Sequence, residues 1–199
     1  MLASITPLGE RGRHSHYAVT VTAFLLAGLV AGAAFGALLG TLGSLTLGAT
    51  AASLRLGLLA LALLAAAAVD LRPGAAPGPR RQVNERWLDE YRGWVYGAGF
   101  GAQLGLGITT VVTSAATYAA LLAALLSASP WAGALILGTY GAIRGLTPLL
   151  AAGVRTPEQL VALHVRFARA QRPATGAGQL LLVATVVLAA AVAVTGSLG

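Results

Sequence analysis

Polar and apolar residues occur in long, separate blocks along this chain. The charged side chains are concentrated at 10–13, 70–92 and 155–172. Between these clusters run stretches of Ala, Leu, Val and Gly that only Arg55 and Arg144 interrupt. A soluble domain needs charge spread along its length, because its outer face must stay in contact with water. The blocks therefore predict an all-α, polytopic membrane helix bundle.

A helix needs about 20 mostly apolar residues to cross a bilayer. Five stretches meet this requirement, which predicts a single transmembrane domain over 1–199. Two charged connections predict amphipathic helices at the membrane surface, at about 81–93 and 157–172, and Pro173 is expected to end the second. The alternative for both is a solvated loop with a helical turn. The predicted spans cover residues 17–42, 49–69, 94–127, 131–152 and 177–194.

The charges of the connections predict the orientation. Arg residues are concentrated at 70–93 and 153–172, whereas the connections at 41–50 and 127–131 carry no charge. Since cytoplasmic loops carry an excess of positive residues, the N-terminus is expected in the cytoplasm and the C-terminus outside. We therefore expect a multi-pass protein of the cytoplasmic (inner) membrane, and the Lys-free, Arg-rich composition suggests a bacterial source.

Composition narrows the choice of partners and cofactors. Charged residues make up 10% of the chain, whereas soluble domains average about 25%. The net charge of +7 does not indicate nucleic acid, because most Arg residues lie in the connections; the lipid bilayer is the expected partner. The absence of Cys excludes disulfides and thiolate metal sites. His14 and His16 lack a third ligand, so neither a metal nor another cofactor is expected.

Glycine recurs every four positions in two of the predicted spans. Such a row leaves one helix face without side chains, so another backbone can approach it closely. We expect these rows to pack helices together within the chain, and an interface in a homo-oligomer is the alternative. The residues are Gly28, Gly32, Gly36 and Gly40 in the first span, and Gly97, Gly101 and Gly105 in the third.

Arg144 is the strongest candidate for a binding residue. It lies inside the fourth predicted span, where an Arg costs at least about 2.5–3.5 kcal/mol on insertion scales. No Asp or Glu lies inside a predicted span to pair with it, so Arg144 is a candidate site for an anionic solute. The alternative is that its side chain extends to the cytoplasmic headgroups or bonds backbone carbonyls. Pro148 is expected to kink this helix.

The third span is the second candidate, because 94–127 is too long for one straight crossing. A break near Gly107, with hydroxyl groups beside it, would resemble the discontinuous helices that line transport sites. The alternative is that these Ser and Thr hydroxyls bond back to carbonyls of their own helix. The residues expected to line a solute path are Gln103, Thr110, Thr113, Ser114 and Thr117.

The third and fourth spans read GFGAQLGLGITTVVTSAATYAALLAALLSAS and PWAGALILGTYGAIRGLTPLL. This pattern resembles the second half of the DsbD/CcdA-like transmembrane family, which shares a superfamily with LysE-type and TauE-like exporters. In the resemblance Pro148 matches a late proline, Thr113 and Ser114 fall at the reactive-cysteine motif, and LASITPLGERGR is a remnant of the first repeat. It implies a bundle of degenerate inverted repeats around a polar site. Thiol–disulfide transfer is not implied, since the chain has no Cys.

Two functions follow from these features. The first is a membrane protein with a transporter-like fold that moves a small, anionic solute across the cytoplasmic membrane. The alternative is a non-catalytic membrane subunit or assembly factor that docks a partner protein through the glycine rows and the surface helices. An enzyme is not expected, because no nucleophile–base pair is visible in the sequence.

Overall fold

The computed structural model describes residues 5–72, 86–109, 112 and 114–195. These residues form eight α-helices and no strand, which confirms the all-α prediction. A 3₁₀ helix, Thr147–Ala151, follows the seventh α-helix. The α-helices are α1 Pro7–Gly12, α2 Tyr17–Leu47, α3 Ala52–Asp70, α4 Trp87–Glu90, α5 Gly93–Leu106, α6 Ala116–Leu126, α7 Pro130–Gly145 and α8 Pro157–Thr195.

Three stretches among the described residues are long and apolar enough to cross a membrane, namely Tyr17–Leu47, Ala52–Asp70 and Pro130–Ala151. Their outer faces are covered with apolar side chains: Val30 and Leu61 are 63% and 64% exposed. Such faces are stable against lipid rather than water. The chain therefore has the features of a membrane protein, while the count of five spans stays a prediction.

The third predicted span is not one continuous helix. The helix α5 ends at Leu106, and Gly107 follows it in the left-handed region with φ +75°. The next helix in the described part of the chain, α6, begins at Ala116. The single helix predicted over 94–127 is therefore wrong, and the interruption begins at Gly107, the residue at which the sequence suggested one. Glycine permits this left-handed helix end because it has no Cβ.

The last two predicted spans also differ from the structure. Within the span predicted at 131–152, the α-helix ends at Gly145 and a 3₁₀ helix follows at Thr147–Ala151. The α-helix does not continue because Pro148 has no N–H for an α-helical hydrogen bond. The segments predicted separately at 157–172 and 177–194 are one helix, α8, and Pro173 lies inside it. The prediction that Pro173 ends a helix was wrong, since α8 continues through this residue, which is exposed.

The surface helix predicted at about 81–93 is not one continuous helix over residues 86–93, which the structure describes. The single turn α4, Trp87–Glu90, ends before α5 begins at Gly93. Residues 81–85 of that prediction lie outside the described part of the chain.

Helix α2 lies at the centre of the bundle and packs most extensively against α7 and α5. Along the glycine rows these helices meet backbone against backbone, and a cluster of buried side chains fills part of the α2–α5 contact. A Cβ added at Gly28 would lie 3.1 Å from the carbonyl oxygen of Gly141 and 3.3 Å from that of Gly101. Three backbones therefore meet at this one residue. The helix α5 runs parallel to α2, because Gly97 faces Thr20 and Gly105 faces Gly28.

The glycine row of α2 continues along α7, which runs antiparallel to it. Cβ atoms built on the row would overlap backbone atoms of α7 and of the turn before it. The row therefore lies at an interface between helices of the same chain. Going along α2, Gly32 faces Leu137, Gly36 faces Gly133, and Gly40 faces Ser129.

A second layer consists of α3, α6 and α8, and side chains rather than backbone fill it. Its buried cluster joins Leu63 and Ala66 of α3 to Ala119 of α6 and Leu182 of α8. Arg55, near the start of α3, donates hydrogen bonds to the carbonyl oxygens of Leu126 and Ser127 at 3.3 and 3.2 Å. These bonds place the start of α3 beside the end of α6. The last residue of α3, Asp70, lies beside the start of α6, so the two helices are antiparallel.

Candidate functional site at the break between α5 and α6

The start of α6 is capped by a carboxylate from another helix. Asp70, the last residue of α3, accepts the backbone N–H of Ala115 at 2.7 Å and the hydroxyl of Ser114 at 2.5 Å. The Ser114 oxygen in turn accepts the N–H of Ala116 at 3.1 Å. A helix start has unpaired N–H groups and a partial positive charge. Asp70 therefore stabilises a helix end that the interruption would otherwise leave unsatisfied.

A second polar network joins the first turn of α6 to α7. Thr117 is 6% exposed, and its hydroxyl oxygen lies 3.0 Å from the phenol oxygen of Tyr140. Arg144 donates to the same phenol oxygen at 2.8 Å, and its guanidinium carbon lies 5.4 Å from the centre of the Tyr140 ring. Because Tyr140 accepts from Arg144, its own proton is available for Thr117.

The Tyr140 network lies beside Gly107. A Cβ built there would lie 3.2 Å from the Tyr140 ring and 3.3 Å from the Thr117 methyl group. Ser114 and Thr117 are three residues apart at the start of α6, so the Asp70 and Tyr140 networks lie within one helical turn of each other. The break therefore collects one carboxylate, one guanidinium and three hydroxyl groups.

Of the predicted site residues, the structure brings Ser114, Thr117 and Arg144 to the break. Gln103 lies in the last turn of α5, half-buried, and its backbone oxygen accepts the Thr109 hydroxyl at 2.6 Å. Among the described residues no carboxylate lies at ion-pair distance from Arg144, and its observed partner is a phenol. Thr110 and Thr113 lie outside the described part of the chain.

The glycine contacts restrict where a solute path can run. Beside the break, a Cβ built on Gly105 would lie 3.0 Å from the Gly28 Cα, and one built on Gly141 would lie 3.3 Å from the Gly105 Cα. No room is left for a solute between α2, α5 and α7 at this level. A polar path through the break would have to follow the α6 side, where the hydroxyl groups lie.

A second buried polar cluster holds the N-terminal helix to the bundle. Glu10 of α1 is fully buried. The hydroxyl of Tyr96 bonds its two carboxylate oxygens at 2.5 and 2.6 Å, and Thr20 donates at 2.7 Å. Arg13 forms an ion pair with it at 2.8 Å. Burial opposes the charged form of Arg13, but the hydrogen bonds and charge of its neighbours outweigh this effect and raise its pKa.

The sequence analysis did not single out Asp70, Tyr140 or Glu10. Tyr140 and Arg144 are four residues apart on one helix face, which is a usable signal for an aromatic partner of an intramembrane cation. In the sequence, Asp70 and Glu10 belong to charged clusters that border apolar stretches. Nothing in their spacing shows that each is bonded to a helix distant in sequence.

No family model matches the chain, and neither a curated protein nor a solved structure matches it. The fold and the site define a class: an all-helical protein with three stretches long and apolar enough to cross a membrane, and a polar cluster where an apolar stretch is interrupted. The DsbD/CcdA-like resemblance stays a prediction.

Proposed function

We propose that the protein is a small carrier of the cytoplasmic membrane, and that a small anionic solute passes at the break between α5 and α6. The observation that carries this proposal is the interruption of an apolar stretch by a polar cluster. With 14 residues in α5 and 11 in α6, these helices measure about 21 and 16 Å, and neither alone spans the roughly 30 Å of hydrocarbon. Together they match one crossing that is broken inside the membrane.

Arg144 would supply the preference for anions. It is the cation of the polar cluster, and a phenol rather than a carboxylate holds it. A guanidinium has five N–H donors in a fixed planar arrangement, so it can bind an oxyanion while it keeps one bond to Tyr140. The hydroxyl groups of Ser114 and Thr117 would provide the neighbouring polar surface, as the broken helices of known transporter folds do.

The proposal includes the predicted topology of five crossings, with the broken α5–α6 pair as the third. The N-terminus would lie in the cytoplasm and the C-terminus outside, in accordance with the Arg-rich connections. Reporter tags fused to each end test this topology. Both tags on the same side of the membrane would contradict it.

Flux into proteoliposomes tests the carrier directly. The probes are small anions of graded size, from chloride to sulfate and acetate, and the variants are Arg144→Ala and the control Arg166→Ala. Arg166 lies on the exposed part of α8, so its loss changes net charge equally without touching the break. We expect flux above that of empty liposomes for wild type and for Arg166→Ala, and a loss of at least about tenfold for Arg144→Ala. Background flux for all three proteins would refute the proposal.

One observation favours the alternative function, a membrane subunit that docks a partner protein. The first half of α8 is exposed over most of its length and presents Val161 and Val165, which are 64% and 44% exposed. Arg166 and Arg169 lie among these apolar residues. Stoichiometric co-purification of a second membrane protein, lost on Val161→Asp, together with background flux would favour this function over the carrier.

A further inference from the structure

Two neighbouring cavities open where the chain enters α2 and α5. The larger has a volume of about 600 Å³, and Arg13, His14, His16, Glu90 and Arg92 are among its lining residues. The smaller has a volume of about 310 Å³. Ser15 and His16 line both cavities and form the wall between them. The larger cavity lies at the start of α5, about 20 Å along this helix from Gly107, so it is separate from the break.

The lining of these cavities is positively charged. Four Arg side chains contribute, Arg13 and Arg92 in the larger cavity and Arg11 and Arg155 in the smaller, against the carboxylates of Glu90 and Glu10. Over the two cavities together this gives a formal excess of two positive charges (4 − 2 = +2). Of the two carboxylates, Glu10 is fully buried and already accepts from Tyr96, Thr20 and Arg13.

The wall of the larger cavity is preorganised. The backbone N–H of Ser15 donates to the Glu10 carbonyl at 2.8 Å, and the Glu10 side chain holds Arg13. His14 adopts the left-handed conformation with φ 54°, which is uncommon for a residue with a Cβ and is kept only where the surroundings fix it. The segment that carries both histidines is therefore held in one conformation by Glu10.

Aromatic side chains flank the cavity on the α5 side. Tyr91 and Trp94 line it and are 49% and 55% exposed, with Arg92 between them. Trp and Tyr are enriched at the depth of lipid headgroups, where one end of the ring is apolar and the other is wet. Basic pockets between membrane helices on the cytoplasmic side are suited to the phosphates of anionic lipids.

We infer that the larger cavity binds a phosphate group, with Arg92 as the fixed charge and His14 and His16 as hydrogen-bond donors. Its volume lies within the range of about 300–1,000 Å³ that small-molecule sites occupy. Arg presents a planar donor pair that matches two phosphate oxygens. The phosphate belongs either to the headgroup of an anionic lipid or to a soluble phosphate ester, and both present the same group to the cavity.

Quenching or enhancement of tryptophan fluorescence tests the inference, because Trp94 lines the cavity. The full-length protein is titrated in detergent with inorganic phosphate, against chloride at equal ionic strength. In nanodiscs it is titrated with phosphatidylglycerol against phosphatidylcholine. Saturation by inorganic phosphate indicates a soluble ligand, and saturation by phosphatidylglycerol alone indicates a lipid headgroup. Either result supports the site, and the absence of saturation in both arms would overturn it.

Variants connect the binding to the named residues. Arg92→Gln should weaken binding by about tenfold or more, the loss expected for one charge-assisted contact, while the control Arg166→Gln should leave it unchanged. His16→Asn gives a second, independent variant on the opposite wall and should weaken binding by several-fold. Each protein is first shown to elute and melt as the wild type does. Equal affinity of wild type, Arg92→Gln and His16→Asn would refute the assignment, whether or not the protein transports a solute.

Discussion

Replacing Gly36 by Ala gives the sharpest test of the packing between α2 and α7. The added Cβ would lie 2.7 Å from the carbonyl carbon of Gly133 and 3.0 Å from the Cβ of Leu137, and closer still to the Gly133 oxygen. Two of these three atoms are backbone and the third is a Cβ. None of them can rotate away as the end of a flexible side chain can, so α2 and α7 must move apart.

The magnitude follows from two opposing effects. Overpacking a well-filled interface by one methyl group costs about 1–3 kcal/mol. The higher helix propensity of Ala over Gly returns at most about 1 kcal/mol. We therefore expect a net loss of about 1–2 kcal/mol in the free energy of unfolding. At Gly57 of α3 a Cβ would meet nothing within 4 Å, so Gly57→Ala should show only the gain in propensity.

Thermal unfolding in detergent, followed by circular dichroism, compares the two variants. For a domain of this size 1 kcal/mol corresponds to about 2–4 °C in Tm. Gly36→Ala should therefore melt roughly 4–8 °C below Gly57→Ala, given a difference of about 2 kcal/mol between them. If Gly36→Ala melted at the temperature of Gly57→Ala or above it, the close contact between α2 and α7 would be refuted.

Three further predictions concern the polar clusters. Asp70→Asn puts an amide donor beside the Ala115 N–H or the Ser114 hydroxyl, and Tm in detergent should fall by the equivalent of about 1 kcal/mol; an unchanged Tm would show that Asp70 does not stabilise the start of α6. Glu10→Ala removes the acceptor of three side-chain donors, two of them buried, and should cost about 3 kcal/mol, detected as early proteolysis at the N-terminus; resistance equal to that of wild type would contradict this. Tyr140→Phe releases Arg144 from its phenol partner and should reduce anion flux in proteoliposomes; wild-type flux would show that this hydrogen bond does not position Arg144.

The sequence predicted the helices best where one physical requirement dominates. The apolar run after His16 starts a helix at Tyr17 as expected, and α3 at Ala52–Asp70 lies within a few residues of the predicted 49–69. In both cases the need to satisfy every backbone group inside lipid leaves only the helix. Composition alone shows where this requirement applies, so these two helices could be predicted without knowledge of the tertiary packing.

Prolines and partners distant in sequence were predicted less well. The sequence predicts that Pro148 and Pro173 each disturb a helix. Pro148 lies in the 3₁₀ helix that follows α7, whereas Pro173 lies inside α8. What differs is the packing around each: Pro148 is buried, whereas Pro173 is exposed. Asp70 likewise appears as the charged end of an apolar run. Its role at the start of α6 arises only because α3 and α6 pack antiparallel.

The two layers of the bundle differ in how they can move, and this bears on the proposed carrier. Along the glycine rows α2 meets α5 and α7 backbone against backbone, so a small displacement there creates an overlap or a gap. The contacts among α3, α6 and α8 use Ala, Leu and Val side chains, which can slide and repack. Asp70 bonds the start of α6 to the end of α3, so these two helix ends would move together. We therefore expect any opening at the break to displace the start of α6 with the end of α3 and to separate Thr117 from Tyr140 first. The other end of α6 stays against α2, because a Cβ on Gly43 would overlap the Leu125 carbonyl group.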